Sequence, residues 1–202
     1  MTSEDLSDLR ELMVRADERA LAASGVACLE RCLPLLGDEV AGPEALRPLW
    51  AGLANGPAHW AVRLAEAREL LKGPPERDTG AGADPAEADG AAGLDAADAV
   101  RAMLDTAPAA WSAAPLRAWA GDCSVTALAL HRRLGAGPLD DPATPAVDPL
   151  STGELRRQIR MLELLAAGEG PSGLRQALNA ATEGRRVLSA ALSRRARGTG
   201  RA

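Results

Sequence analysis

Residues 49–60, LWAGLANGPAHW, predict a tight turn between two helices, and this turn indicates the class of the fold. Asn55-Gly56 is a typical helix-ending signal, and Pro57 suits the first turn of a following helix. Apolar side chains recur at helical spacing on both sides: Leu46, Leu49, Trp50 and Leu53 before the turn, and Trp60, Leu64, Ala67 and Leu71 after it. Trp50 and Trp60 therefore flank the turn as core anchors. His59 lies about 100° from Trp60 around the helix and is expected at the surface.

The composition of the chain favours an all-α fold. The 202 residues include no Phe, no Tyr and a single Ile, Ile159, so strand-forming residues are scarce. Alanine is abundant and buries little area, so the core must come from close packing of helices on leucine stripes, with four tryptophans as large anchors. The sequence predicts an irregular helical bundle of about seven to eight helices, in one body or in two lobes.

Two loose stretches divide the predicted helices, and the first is an acidic linker rich in Pro, Gly and Ala. The predicted organisation is an N-terminal helical unit over 1–72, a flexible linker over 73–93, a central helical segment over 94–137, a loop over 138–151, a C-terminal helical hairpin over 152–197 and a tail over 198–202. Helices joined by such stretches form either one body or two.

Three local features complete the helix prediction. The first helix has one apolar face formed by Leu6, Leu9, Met13, Ala16 and Ala20, and Ser24-Gly25 is expected to break or kink it. Ser151 and Glu154 are spaced as a capping box that opens a later helix. Arg185 is in register with the apolar stripe of the last helix, so we expect it either to snorkel or to pair with an acidic residue.

The charge distribution argues against general binding to nucleic acid or to anionic membranes. The formal charge is −5, and because six arginines and no acid follow from Arg185 onward, residues 1–184 hold −11. Arginines at a helix end also complement the helix dipole. No apolar run approaches the roughly 20 residues that span a bilayer, and TSEDLSDLRE lacks the pattern of a signal peptide. Together with a preference for arginine over lysine, this predicts a cytoplasmic protein of a GC-rich, actinobacteria-like bacterium.

No motif for catalysis, a cofactor or a metal is evident. Cys28 and Cys32 share a helix face and could join Cys123 or a histidine in a zinc or redox site, but CxxC spacing is absent and small buried thiols are equally consistent. His59 and His131 would act as general bases only beside a carboxylate and a nucleophile. His131 precedes Arg132-Arg133, which indicates an ordinary charged helix end. We therefore predict no catalytic, cofactor or metal residues.

The prediction that remains is a non-enzymatic accessory, adaptor or regulatory protein that binds another protein or a second copy of itself. One alternative is a DNA-binding regulator with its contacts on the C-terminal hairpin and basic tail: Arg175, Gln176, Asn179, Arg194, Arg195 and Arg197. Another is a helical bundle that binds a small molecule. For such a pocket, or for an interface, the candidate residues are Trp50, Trp60, Trp111, Trp119, His59 and His131. A histidine, a thiol and a carboxylate around an enclosed void would contradict the non-catalytic prediction.

Overall fold

The computed structural model describes residues 3–37, 42, 44–72, 88–135, 148–168 and 171–199, with backbone alone for 88–95, 171 and 199. These residues form helices without strands, which confirms the all-α bundle. The helices are α1 (Ser3–Arg15), α2 (Glu18–Cys32), α3 (Arg47–Asn55), α4 (Pro57–Leu70), α5 (Ala88–Asp105), α6 (Ala113–Gly135), α7 (Pro149–Ala167) and α8 (Pro171–Thr199), with a 3-10 turn over Leu33–Leu36. None of these helices is long and apolar enough to cross a membrane.

Helix α2 is the centre of the bundle. Every residue from 20 to 33 is buried, and the helix packs against α6, α8, α7, α3 and α5. Small side chains make this possible, because they let neighbouring helices approach closely. Gly25 is the clearest case: a Cβ atom there would lie only 2.8 Å from Cε3 of Trp119. The tryptophan ring occupies the space that any side chain would need.

The predicted break at Ser24-Gly25 is wrong. Helix α1 ends at Arg15, and α2 begins after Asp17, whose carboxylate accepts a 2.7 Å hydrogen bond from the backbone N–H of Ala20. The N-cap at Asp17 therefore separates the two helices. The backbone stays helical through Gly25. A glycine is needed at this position because Trp119 of α6 packs against it.

The turn at residues 55–57 is as predicted. Gly56 has φ of +88°, ends α3 by donating its N–H to Gly52 O at 3.1 Å, and precedes Pro57 at the start of α4. Trp60, fully buried on α4, donates from Nε1 to Pro108 O at 2.7 Å. Arg68 on the same helix donates to the Asp105 and Ala107 carbonyls, each at 2.7 Å. Helix α4 thus holds the connection between α5 and α6.

The core has two parts. The larger contains residues of α2 to α8 and the 3-10 turn, and the smaller joins α1, α6 and α7 through Leu9, Met13, Ala120, Leu128, Leu155 and Leu162. Helix α5 begins at Ala88, inside the segment expected as a linker. Residues 73–87 and most of the expected loop 138–151 lie outside the described residues, so the domain boundaries stay a prediction.

The predicted capping box at Ser151 and Glu154 is wrong. Asp148 is the N-cap of α7, and its carboxylate accepts hydrogen bonds from the N–H groups of Leu150 and Ser151 at 3.0 and 3.2 Å. Glu154 is 0% exposed and faces the centre of the bundle. A glutamate in the first turns of a helix caps it only if the carboxylate turns back to the helix start. The Glu154 carboxylate instead accepts hydrogen bonds from Arg31 of α2.

Candidate functional site

The partner of Glu154 is Arg31, and together they form a buried ion pair between α7 and α2. The Arg31 Nε donates to both carboxylate oxygens at 2.9 and 2.8 Å, and Nη2 donates to Oε1 at 2.7 Å. The two side chains are 1% and 0% exposed. The charge of Arg31 keeps the pKa of Glu154 below its usual range, although burial alone would raise it. Both groups are therefore charged at neutral pH.

Gln158 and Ser124 extend this pair into a network that we call the buried polar cluster. The Gln158 amide donates to Glu154 Oε1 at 2.9 Å, and the Ser124 hydroxyl donates to the Gln158 carbonyl at 2.6 Å. These bonds connect α2, α7 and α6 in the interior. Such bonds offset part of the cost of burying an ion pair. They do not satisfy every group, because Nη1 of Arg31 is buried without a hydrogen-bond partner among the described residues. The cluster joins the three helices in the interior.

His131 belongs to the same cluster, although Arg132 and Arg133 beside it form the charged last turn of α6 as expected. The ring is 2% exposed, its Nδ1 lies 2.7 Å from Ala127 O, and its Nε2 lies 3.6 Å from Glu154 Oε2. Burial lowers the pKa of His131, and the Arg31 and Arg157 charges lower it further against the opposing effect of Glu154. The imidazole is therefore neutral at pH 7, with its proton on Nδ1.

The cysteines line the same region of the core as free thiols. Cys28 Sγ accepts a 3.3 Å hydrogen bond from Arg31 Nη2, and Cys28, Cys32 and Cys123 are each 1% exposed or less. Burial raises the pKa of Cys28 to about 12 and also raises the pKa of Cys32 and Cys123. Thiols in this state are poor nucleophiles. Among the described residues, no group of three His, Cys, Asp or Glu side chains is arranged to hold a metal ion.

The structure therefore brings a histidine, a thiol and a carboxylate together, an arrangement that the sequence did not predict. His131, Cys28 and Glu154 are each exposed by 2% or less. His131 contacts Ala127 O, Cys28 contacts Arg31, and Glu154 contacts Arg31 and Gln158. These groups therefore lie in the interior between the helices and are not accessible to solvent. The sequence signal that could have found them is the charged pair Glu30-Arg31, which directly follows the apolar run of residues 20–29 in the last turn of α2.

Trp50, Trp60 and Trp119 lie in the core as anchors, and Trp111 is half-buried against it. Trp60 contacts Trp111 edge-on with ring centroids 5.7 Å apart, and Trp119 at a tilt with 6.0 Å between centroids. Trp50 is 4% exposed, and its Nε1 donates to Glu30 at 3.4 Å. Glu30 also forms an ion pair with Arg185 at 2.8 Å. Of the two expectations for Arg185, pairing with an acidic residue is therefore the correct one. A cleft of about 300 Å³ lies elsewhere, beside Asp17, Arg19, Leu165 and Leu174.

The residues predicted for DNA contact are exposed but fall into two groups on α8. Arg175, Gln176 and Asn179 lie in its first turns, and Arg194, Arg195 and Arg197 lie near its end. At 1.5 Å per residue the groups are roughly 20 Å apart along the helix. His59 is exposed on α4, as expected.

An exposed apolar surface runs along α4. It consists of Ala58, Ala61, Val62 and Ala65, and we call it the outer face of α4; Val62 is 59% exposed. The first turns of the helix carry their charges to the side of this face, where Arg63 pairs with Glu66 at 2.7 Å and Arg68 caps α5. The face ends at Glu69, which is exposed, in register with it and paired with Lys72 at 2.6 Å. An ordinary surface helix carries charged residues along its whole outer face.

The comparisons with known proteins add no relative: no family model matches the chain, and no curated protein or solved structure is significantly similar to it.

Proposed function

We propose that this chain is a non-enzymatic helical accessory or adaptor protein that binds another protein through the outer face of α4. The observation that carries the proposal is the arrangement of side chains on the first turns of that helix, where three alanines and Val62 are exposed and the pair Arg63–Glu66 lies to one side. Small apolar side chains let a second helix approach closely, and an amphipathic helix is a common ligand for such a face. The partner is therefore a protein with an exposed amphipathic helix.

The placement of the chemically reactive groups supports a role without catalysis. His131 and the cysteines are enclosed in the core, and the raised thiol pKa values disfavour nucleophilic chemistry. Three free cysteines also fit the reducing cytoplasm of a bacterium, where we place the interaction. A ligand pocket between the tryptophans has less support, because their rings pack on one another and against backbone carbonyls.

Site-specific photocrosslinking in the native host tests this proposal. A photoreactive amino acid replaces Val62 on the outer face of α4, and the matched control replaces Val14, which is 68% exposed on α1. We expect one protein to be crosslinked from position 62 and not from position 14. The purified partner should then bind the V62E variant at least about tenfold more weakly than wild type, and the V14E variant normally.

Three results would overturn the proposal. One is the absence of any crosslinked protein from position 62 above the level from position 14. Another is unchanged affinity of the purified partner for V62E. The third is crosslinking only to a second copy of this chain, since an adaptor must bind a different protein.

A further inference from the structure

The exposed apolar surface of α4 continues beyond its outer face to Leu70, the last residue of the helix. Leu70 is 57% exposed, whereas its neighbour Leu71 is buried. Four residues spaced at intervals of four form one row along the helix surface, which we call the α4 row: Ala58, Val62, Glu66 and Leu70. At 1.5 Å per residue, Val62 and Leu70 lie roughly 12 Å apart along the helix axis. The α4 row therefore carries two large aliphatic side chains, two turns apart, that are open to solvent.

The charged side chains beside the α4 row are paired within the chain. Arg63 Nη1 donates to the two carboxylate oxygens of Glu66 at 3.0 and 2.7 Å. At the end of the helix, Lys72 Nζ donates to Glu69 Oε1 at 2.6 Å. Arg68 donates to carbonyl oxygens at the end of α5, with the shortest bonds at 2.7 Å. Because each of these charges has a partner of its own, complementary charge contributes little to recognition here.

We infer that the partner protein packs an aliphatic helix along the α4 row and that Leu70 is a second anchor residue beside Val62, an inference that rests on the proposed function in taking α4 as the interface. Side chains about seven or eight residues apart in a helix lie on one face, which matches the separation of Val62 and Leu70. A helix that packs at the shallow crossing angle of about 20° contacts both anchors, whereas one that crosses at about 50° moves away from the second. The partner helix is therefore at least about three turns long and carries aliphatic residues opposite both anchors.

The surroundings of the α4 row favour an aliphatic ligand over a charged one. Covering large aliphatic side chains contributes about 25 cal/mol for each Å² removed from water. Ala61 and Ala65 on the outer face are small and exposed, so a partner helix can approach closely between the anchors. A charged ligand would gain affinity from unpaired charges of opposite sign, and salt would screen that gain. Since the charges here are paired, the affinity should change little with salt.

Calorimetric titration of the full chain with the purified partner, the protein crosslinked from position 62, tests the inference. The perturbed variant is Leu70→Glu, and Leu70→Met keeps an apolar side chain at the same position. The matched control is Val125→Glu, because Val125 is 69% exposed on α6 and the substitution introduces the same charge. Circular dichroism checks that all variants are folded. A photoreactive amino acid at position 70 then maps the contact on the partner by mass spectrometry.

We expect L70E to bind the partner at least about tenfold more weakly than wild type, and L70M and V125E to bind within about twofold of it. Crosslinks from positions 62 and 70 should lie on one helix of the partner, about seven or eight residues apart. Between low and high salt the affinity should change by less than about threefold.

Three results would contradict the inference while leaving the proposed function intact. They are wild-type affinity of L70E, crosslinking from position 70 to no protein or to a different part of the partner, and a loss of affinity of about tenfold or more at high salt. If instead no protein is crosslinked from position 62, the proposed function fails and this inference fails with it. The two kinds of failure are therefore distinguishable.

Discussion

Replacing Gly25 by alanine should destabilise this protein, although alanine is the better helix former. In a solvent-exposed helix the change would stabilise by about 1 kcal/mol. Here the new Cβ would lie 2.7 and 2.8 Å from two carbons of the Trp119 ring, closer than carbon atoms approach one another. The ring is held in place, because its Nε1 donates to Met103 O at 2.7 Å and it packs against Trp60 with ring centroids 6.0 Å apart.

The magnitude follows from these contacts. Overpacking a core by one methyl group costs about 1–3 kcal/mol. Displacing Trp119 also lengthens a buried hydrogen bond, whose loss costs about 1–3 kcal/mol. After the gain in helix propensity, the G25A variant should lose about 2–4 kcal/mol of unfolding free energy, which for a chain of this length lowers Tm by about 5–15 °C.

Gly121 provides the matched control. It lies inside α6, and a Cβ atom there would meet nothing within 4 Å, so G121A should gain about 1 kcal/mol. Urea unfolding followed by circular dichroism, together with the Tm, measures both variants. The reasoning about α2 fails if G25A is as stable as wild type or more so, or if both glycine variants shift stability in the same direction.

Three further predictions concern the buried groups. The R31M variant should lose about 3–5 kcal/mol of unfolding free energy, because it leaves the Glu154 carboxylate charged and unpaired. The R31M/E154L double variant should be more stable than R31M in urea unfolding. A double variant that is less stable than R31M would contradict this. Because the pKa of His131 is lowered, the folded state binds fewer protons than the unfolded state below pH 6.5, and stability should fall as the pH drops below that value. The pKa of Glu154 is also lowered, so stability should fall again below pH 4.5. The raised pKa of Glu30 acts in the opposite sense, so the test is the H131N variant, whose stability should depend less on pH between 7 and 5 than that of wild type. Finally, the three cysteines should resist iodoacetamide in the native protein and react in urea, as mass spectrometry would show, whereas rapid native alkylation would refute their burial.

Local signals predicted much of the fold but not the buried polar cluster. The Gly56-Pro57 turn, the burial of Trp50 and Trp60 and the exposure of His59 follow from short-range rules of helix ends and helix periodicity. The cluster could not be predicted in that way, because Arg31 and Glu154 are 123 residues apart. Nothing in the sequence around either residue indicates that the two side chains meet, because only the packing of α2 against α7 brings them together.

Composition and local spacing were enough to predict an all-α fold. A leucine- and alanine-rich chain with few strand formers buries apolar area by packing helices, and residues 55–57 end one helix and start the next. Which helix lies at the centre and which charged groups are buried in pairs became visible only in the folded chain. Helix periodicity depends on neighbours three or four residues apart. Burial, pKa and surface charge depend on side chains that only the folded chain brings together.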